Sequence, residues 1–239
     1  IISWVRPDGS FAARKIECYS NQGAYAPHGH GVGAKGMNCF PQLYPCANVE
    51  GDCWTVYTNR PAAGAMRGYG IPQAMFAGES HIDDIAKTLG IPPLEYRNRF
   101  VMHQGYVDGF SKNENYYDTF RQVLEKGEAV LEYQKKYAQY QNQTGPIRRG
   151  VGCAVFWYNT AVWPISLESS SCRMVLNQDG SIQVQTGETE IGQGCDTAYS
   201  QMAADAVGIP VSDVHIVSTQ DTDVTPFGLG AYASRQTYI

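Results

Sequence analysis

The feature that most constrains this chain is a layout that occurs twice: two closely spaced glycines, a helix with apolar periodicity, and a Gly-Ile-Pro stop. Gly68-Tyr69-Gly70 precedes the first such helix, which ends at Gly90-Ile91-Pro92, and Gly192-Gln193-Gly194 precedes the second, which ends at Gly208-Ile209-Pro210. Glycine accepts the left-handed backbone of a helix boundary without steric cost, and proline cannot continue the helix beyond it. Gly-Ile-Pro is also a common helix stop, so the repeat is a weak structural echo. With β-prone runs between these helices, the expected class is α+β, with mixed sheets and packed helices.

Ile16-Glu17-Cys18-Tyr19-Ser20, with Asp8-Gly9 ahead and Gly23 behind, reads as one arm of a hairpin within the run Phe11 to Ala26. The stretch from there to about Pro61 is rich in Gly, Pro, Asn and Cys and is expected to form loops and short strands. From Pro72, Met75, Phe76, Ile82, Ile85, Ala86 and Leu89 recur at helical spacing, and a short second helix starts at Pro93. Asp118 to about Tyr140 is the longest helical candidate, with Gly127 as its weak point and Gln141 to Pro146 as its end. Cys172 to Leu176, a turn at Asp179-Gly180 and Ser181 to Thr186 make a second hairpin, followed by a helix from about Asp196 to Val207. These elements divide the chain into a first part, 1–105, a helical connection, 106–146, and a second part, 147–239.

At 239 residues and 43% hydrophobic composition the chain can bury a substantial core. Its net charge of −5 gives no basic stripe, which argues against a nucleic-acid partner. No run approaches the roughly 20 apolar residues that span a bilayer, so no membrane association is expected. The start has neither Met nor signal-peptide layout, and β-prone Gln236 to Ile239 lacks a terminating turn, so both ends are expected to be cuts through a longer protein. Seven scattered cysteines suit a reducing, cytoplasmic location. Cys39, Cys46 and Cys53 are spaced by seven, whereas zinc sites favour pairs two to four apart, and they read as free thiols. His28 and His30 have no Cys or carboxylate beside them and read as turn residues.

Gly31-Val32-Gly33-Ala34-Lys35-Gly36 matches the dinucleotide pattern G-x-G-x-x-G. A helix should follow it, but Met37 to Gln42 contains Pro41 and no helical period, so nucleotide binding is not expected. Glu190-Ile191-Gly192-Gln193-Gly194 is a better anion site, because the next helix points free N–H groups at it and Gln193 adds an amide; a tight structural turn is the alternative. In Ala65 to Gly70, Arg67 could grip an anion and Tyr69 could stack on a flat ring, the alternative being an ion-paired surface arginine. A third loop, Thr225 to Arg235, clusters small residues that let backbone lie close to a ligand.

Together, Gly64-Ala65-Met66-Arg67-Gly68-Tyr69-Gly70-x-Pro72-Gln73, Thr189 to Gly194 and Ala231 to Arg235, in this order and spacing, resemble the xanthine dehydrogenase/aldehyde oxidase family of molybdenum hydroxylases. The resemblance covers essentially the whole chain. Asp221 to Pro226 followed by Ala233-Ser234-Arg235-Gln236 looks most like the bacterial xanthine dehydrogenases, with nicotinate dehydrogenases and 4-hydroxybenzoyl-CoA reductases as near relatives. It implies parts of two molybdopterin-binding domains. It also implies a molybdenum–molybdopterin cofactor contacted by Arg67, Gly68, Gly192, Gln193, Gly194, Ala233 and Ser234, and a substrate ring against Tyr69. A second aromatic would fall between Tyr158 and Trp163. Gly68 stands where the family's carbon monoxide dehydrogenases carry a copper-binding Cys, which argues against that substrate.

The implied reaction hydroxylates an electron-poor C–H carbon of a purine or related heterocycle with oxygen from water. A glutamate serves as general base, and electrons pass to FAD and [2Fe-2S] partners. That glutamate is expected beyond residue 239, leaving no catalytic residue in this chain, no protein-held metal ligand set, and an isolated piece without activity. A cofactor-free assembly domain that has kept the family's loops is the alternative.

Overall fold

Two three-stranded sheets organise the chain, in a computed structural model that describes residues 1–25, 27–109, 112–161, 168–217, 221 and 223–239. Each sheet belongs to its own compact unit, Ile1–Tyr158 or Asn159–Ile239. Both are mixed sheets accompanied by helices, as the α+β reading expects.

In the first unit, β1 (Ile2–Val5) and β2 (Phe11–Gly23) pair antiparallel across a turn that Asp8 holds by accepting from the Ser10 N–H and hydroxyl. The chain then forms helix α1 (Gly29–Cys39) and returns as β3 (Val49–Tyr57), parallel to β2. Here the expected loops and short strands are corrected: residues 29–39 are helical, and β3 is nine residues long. Four glycines in α1 lower its intrinsic helical preference, which is why the segment reads as loop. Packing reverses that preference. A Cβ on Gly33 would come 2.6 Å from the Cys53 Sγ, and one on Gly36 would come 2.8 Å from the Gly70 carbonyl oxygen. These glycines let α1 lie against β3 and the turn before the next helix, and Pro41 stands just beyond its end. The G-x-G-x-x-G pattern is therefore a packing face inside a helix. The expected ground against a dinucleotide site, a missing helix, is corrected: the glycines lie within a helix and not ahead of one.

Helix α2 (Ile71–Leu89) ends at Gly90, whose left-handed backbone donates to the Ala86 and Lys87 carbonyls. Its buried face presents Ile71, Met75, Ile82, Ile85 and Ala86 to a core that includes Phe11, Tyr44, Leu94, Tyr96 and Leu124. Phe76, grouped with this face by periodicity, instead points outward at 77% exposure. Helix α3 (Pro93–Phe100) brings Arg97, fully buried, to Glu79 at 2.7 Å and Asp83 at 2.7 Å. Glu79 also accepts from the Tyr44 hydroxyl at 2.6 Å and the Val155 N–H at 2.8 Å. One buried carboxylate thus ties α2 and α3 to two other segments, and its loss would leave the Tyr44 hydroxyl and the Val155 N–H without this acceptor and Arg97 with Asp83 as its remaining carboxylate.

The long helical candidate is two helices, α4 (Thr119–Leu131) and α5 (Tyr133–Tyr140). The break falls at Glu132, in left-handed conformation, and not at Gly127. The turn at Glu132 lets Tyr133 enter the core while Val123 and Val130 stay exposed. In the second unit, β4 (Cys172–Leu176) and β5 (Ile182–Thr186) form the expected hairpin. Helix α6 (Cys195–Val207), capped by left-handed Gly208, leads to β6 (Val214–Ile216), parallel to β5. Ile182, Val184, Ala203, Ala204 and Val214 make the small core beneath. The β-prone end 236–238 is part of a helical turn, α7 (Arg235–Tyr238), anchored through buried Arg235. No described helix is long and apolar enough to cross a membrane.

Candidate functional site

In the first unit, Arg67, Gly68 and Tyr69 occupy the turn that launches α2. Tyr69 donates its N–H to the Met66 carbonyl at 2.8 Å and Ile71 donates to the Gly68 carbonyl at 3.0 Å. Gly68, Tyr69 and Gly70 have φ of 89°, 50° and 87°, three successive residues in left-handed backbone. Such a run is natural for glycine and strained for tyrosine, and strained backbone gathers at ligand sites. Arg67 is exposed and, among the described residues, forms no ion pair, so the ion-paired surface arginine is not what the structure contains. The Tyr69 hydroxyl meets His28 Nδ1 at the start of α1, giving His28 a partner that spacing did not reveal. Beside Gly68 an apolar hollow of about 350 Å³ is walled by Ile71, Pro72, Phe76, Phe156 and Tyr158. Tyr158, at one end of the stretch expected to supply a second aromatic, therefore borders the turn; Trp163 lies outside the described residues.

In the second unit, the structure brings together the two loops that the sequence could only name separately. Gln193 donates to the Gln236 side-chain oxygen at 3.0 Å and to the Thr189 carbonyl at 2.9 Å, while its own oxygen accepts from the Ile191 N–H at 2.6 Å. Gly187 and Gly228 let the backbones of both loops abut: a Cβ on Gly228 would come 2.6 Å from the Gly187 carbonyl carbon. Ala233 and Ser234 both sit at φ 52°, and the Ala233 carbonyl accepts from the Ala161 N–H at 2.7 Å.

A buried ion pair holds this conformation. Arg235 is fully buried and donates to Glu168 at 2.8 Å, to the Ser169 carbonyl at 2.5 Å and to Glu188. Glu188 also accepts from the Gly230 N–H at 3.1 Å, clamping the loop from its other end. Burial opposes the charge on Arg235, but the two carboxylates outweigh it and raise its pKa above the ordinary value.

The α6 N-terminus differs from its expected role as an open anion site. The Glu190 carboxylate already accepts from Gly192 N at 2.6 Å, Gly194 N at 3.1 Å and Asp196 N at 3.2 Å. These bonds, the one from Gly194 foremost, pull its pKa down to about 2. Glu188 and Gln236 carry no sequence signal of their own. Glu190 does: an acidic residue just ahead of a helix is a pattern for satisfying its free N–H groups.

The Gly192–Gly194 loop leaves room for a bulky polar group. A Cβ at Gly192 or Gly194 would meet nothing within 4 Å, so the exposed backbone there faces open space, with Gln193 between. Metal ligation by protein side chains has weaker support. Among the described residues the one three-residue cluster with suitable spacing is Glu190, Cys195 and Asp196, and the Cys39–Cys46–Cys53 trio does not assemble.

Glycine turns beside helix starts on two mixed sheets are common to many folds, and it is the comparisons with known proteins that define the class. Molybdopterin cofactor-binding domain models match residues 5–101 and 126–239. The xanthine dehydrogenase molybdenum-binding subunit of Escherichia coli O157:H7 is 48% identical over 98% of this chain and 31% of its own length. Xanthine dehydrogenase of Drosophila pseudoobscura pseudoobscura is 32% identical over 92% of this chain and 16% of its own. The crystal structure of quinoline 2-oxidoreductase from Pseudomonas putida 86 superposes with a TM-score of 0.77 at 27% identity, covering 97% of this chain and 31% of that one. The chain belongs to the molybdenum hydroxylase family, and it spans about a third of the length of the E. coli relative.

Proposed function

We propose that this chain supplies part of the molybdopterin cradle of a xanthine dehydrogenase-type oxidoreductase that hydroxylates a purine or related N-heterocycle with water. The observation that carries the reading is the Gln193–Gln236 bond, which joins the Gly192–Gly194 loop to the Ala233–Ser234 turn over open space. When bound, the cofactor would supply the redox chemistry, accepting the two electrons of hydroxylation for transfer to FAD and [2Fe-2S] partners. In this reading Gln193 hydrogen-bonds the cofactor, while Gly192, Gly194, Ala233 and Ser234 line it with backbone. Arg67 and Gly68 contribute backbone from the other loop, and Tyr69 packs against the substrate ring. The apolar hollow beside Gly68 supports an environment that receives a flat ring. The division into 1–105, 106–146 and 147–239, with the outer parts in different molybdopterin-binding domains, belongs to the same proposal, as does a cytoplasmic location.

The isolated chain does not retain cofactor. Nanomolar retention requires about 12 kcal/mol, whereas a helix N-terminus and one or two charge-assisted hydrogen bonds supply about 3 to 6. Occupation of the α6 N-terminus by Glu190 lowers that supply further. Molybdenum and pterin content, measured on the full-length subunit and on residues 1–239 from one host, tests this. The expected result is both in the former and neither in the latter. Stoichiometric cofactor in the short chain would show that these loops suffice, and its absence from both would favour an assembly domain.

A further inference from the structure

Glu190 makes more backbone contacts than a helix cap requires. Both carboxylate oxygens are engaged: Oε1 accepts from Gly192 N and Gly194 N, and Oε2 accepts from Asp196 N. The three donors bracket Gln193 on both sides. Gly192 and Gly194 are at φ of 95° and 84°, and the Gln193 side chain between them is held by Ile191 N, the Thr189 carbonyl and the Gln236 side chain. Neither glycine is pressed by neighbouring atoms, so their conformation is not imposed by steric packing around them. Hydrogen bonds hold it.

We infer that Glu190 is a positioning residue: its carboxylate is the resident anion of the α6 N-terminus, and by fixing Gly192 and Gly194 it holds Gln193 on Gln236 and so keeps the two cradle loops together. The inference rests on the cradle reading above. Three physical points support it. A carboxylate tethered two, four and six residues from its three donors competes at high effective concentration with any free phosphate. Its charge is matched to the positive end of the α6 dipole. Its affinity for those N–H groups is also reflected in the depressed pKa. A cofactor phosphate would have to expel Glu190 to use the helix N-terminus, so recognition passes to the shape that the joined loops present and to the acceptor capacity left on the Gln193 oxygen. The same geometry argues against a cation at Glu190, Cys195 and Asp196, because both Glu190 oxygens already face N–H donors.

The test uses the full-length subunit with Glu190→Gln, Glu190→Asp and Gln193→Ala. Molybdenum and pterin per subunit are measured beside amide hydrogen exchange across 188–200 and, as an internal control, across α2. The expected result is that E190Q loses several-fold in both cofactor components and exchanges faster at 192–196, with α2 unchanged. E190D, which keeps the charge on a shorter stem, recovers part of both. Full cofactor in E190Q despite faster exchange overturns the positioning role, and unchanged exchange overturns the resident-anion assignment. If E190Q does not accumulate, E190D decides: cofactor and exchange both equal to the parent protein overturn the inference, and a partial loss of both supports it. Q193A separates the two levels of the argument. If it keeps full cofactor, the cradle reading fails and takes this inference with it; if it loses cofactor while E190Q does not, the inference alone fails.

Discussion

The two units build the same sheet from different materials. Strands β1 and β2 form a hairpin, α1 follows, and β3 returns parallel to β2; β4, β5, α6 and β6 repeat that order. The crossover helix α1 is seated by missing side chains, with Gly33 and Gly36 letting backbone approach β3 and the 68–70 turn. Helix α6 is seated by alanines against β5 and started by a carboxylate. Each unit also contains a fully buried arginine, and again their uses differ. Arg97 and Glu79 join the consecutive helices α2 and α3, with Glu79 also reaching Val155, whereas Arg235 and Glu188 clamp the loop that carries Ala233 and Ser234. The lesson is that one topology can seat its crossover helix by missing side chains in one copy and by alanines and a capping carboxylate in the other, while both copies rely on a buried ion pair.

The largest expected effect breaks the ionic hub of the first unit. Glu79→Ala strands the buried Arg97 guanidinium and the Tyr44 hydroxyl and should cost about 3 kcal/mol, read as lost exchange protection across α2 and α3. Asp83, which keeps one contact to Arg97, limits the damage. Next comes the shape of α1. Gly36→Val drives a side chain into the Gly70 carbonyl and should cost about 2 kcal/mol, measured by urea denaturation; a neutral result would show that α1 is not seated by close approach.

The smallest effect sharpens the charged side of the comparison. Glu190 has a folded-state pKa below its ordinary value, so its contribution is fully present above the usual carboxylate range and is lost as pH falls toward about 2. Amide exchange at 192–196, corrected for intrinsic pH dependence, should therefore lose protection on acidification through that window. The N-terminus of α1, where no side-chain cap bond forms, should show no matching step.

Much of the secondary structure was legible because it is locally encoded. Gly90 and Gly208 stop their helices as expected, and the 172–186 hairpin falls where its turn residues put it. Helix α1 was not legible, since its glycines oppose helix in isolation and favour it only against β3 and Gly70. The break at Glu132 was hidden for a related reason: burial of Tyr133 outweighed the weaker local signal at Gly127. The sequence echo also pairs the wrong helices. It matches α2 with α6 through their Gly-Ile-Pro stops, whereas the sheets place α1 and α6 in equivalent positions.

By itself the sequence determined the α+β class, both hairpins, the ends of α2 and α6, and the three loops by which the chain resembles its family. These depend on residues close in sequence, where turn and cap preferences act without help from the rest of the fold. Only the tertiary structure decided that α1 is a helix and that Gln193 meets Gln236. Those outcomes depend on groups that become neighbours when the chain is compact, and burial then makes an unpaired charge or an overlapping Cβ costlier than any local preference.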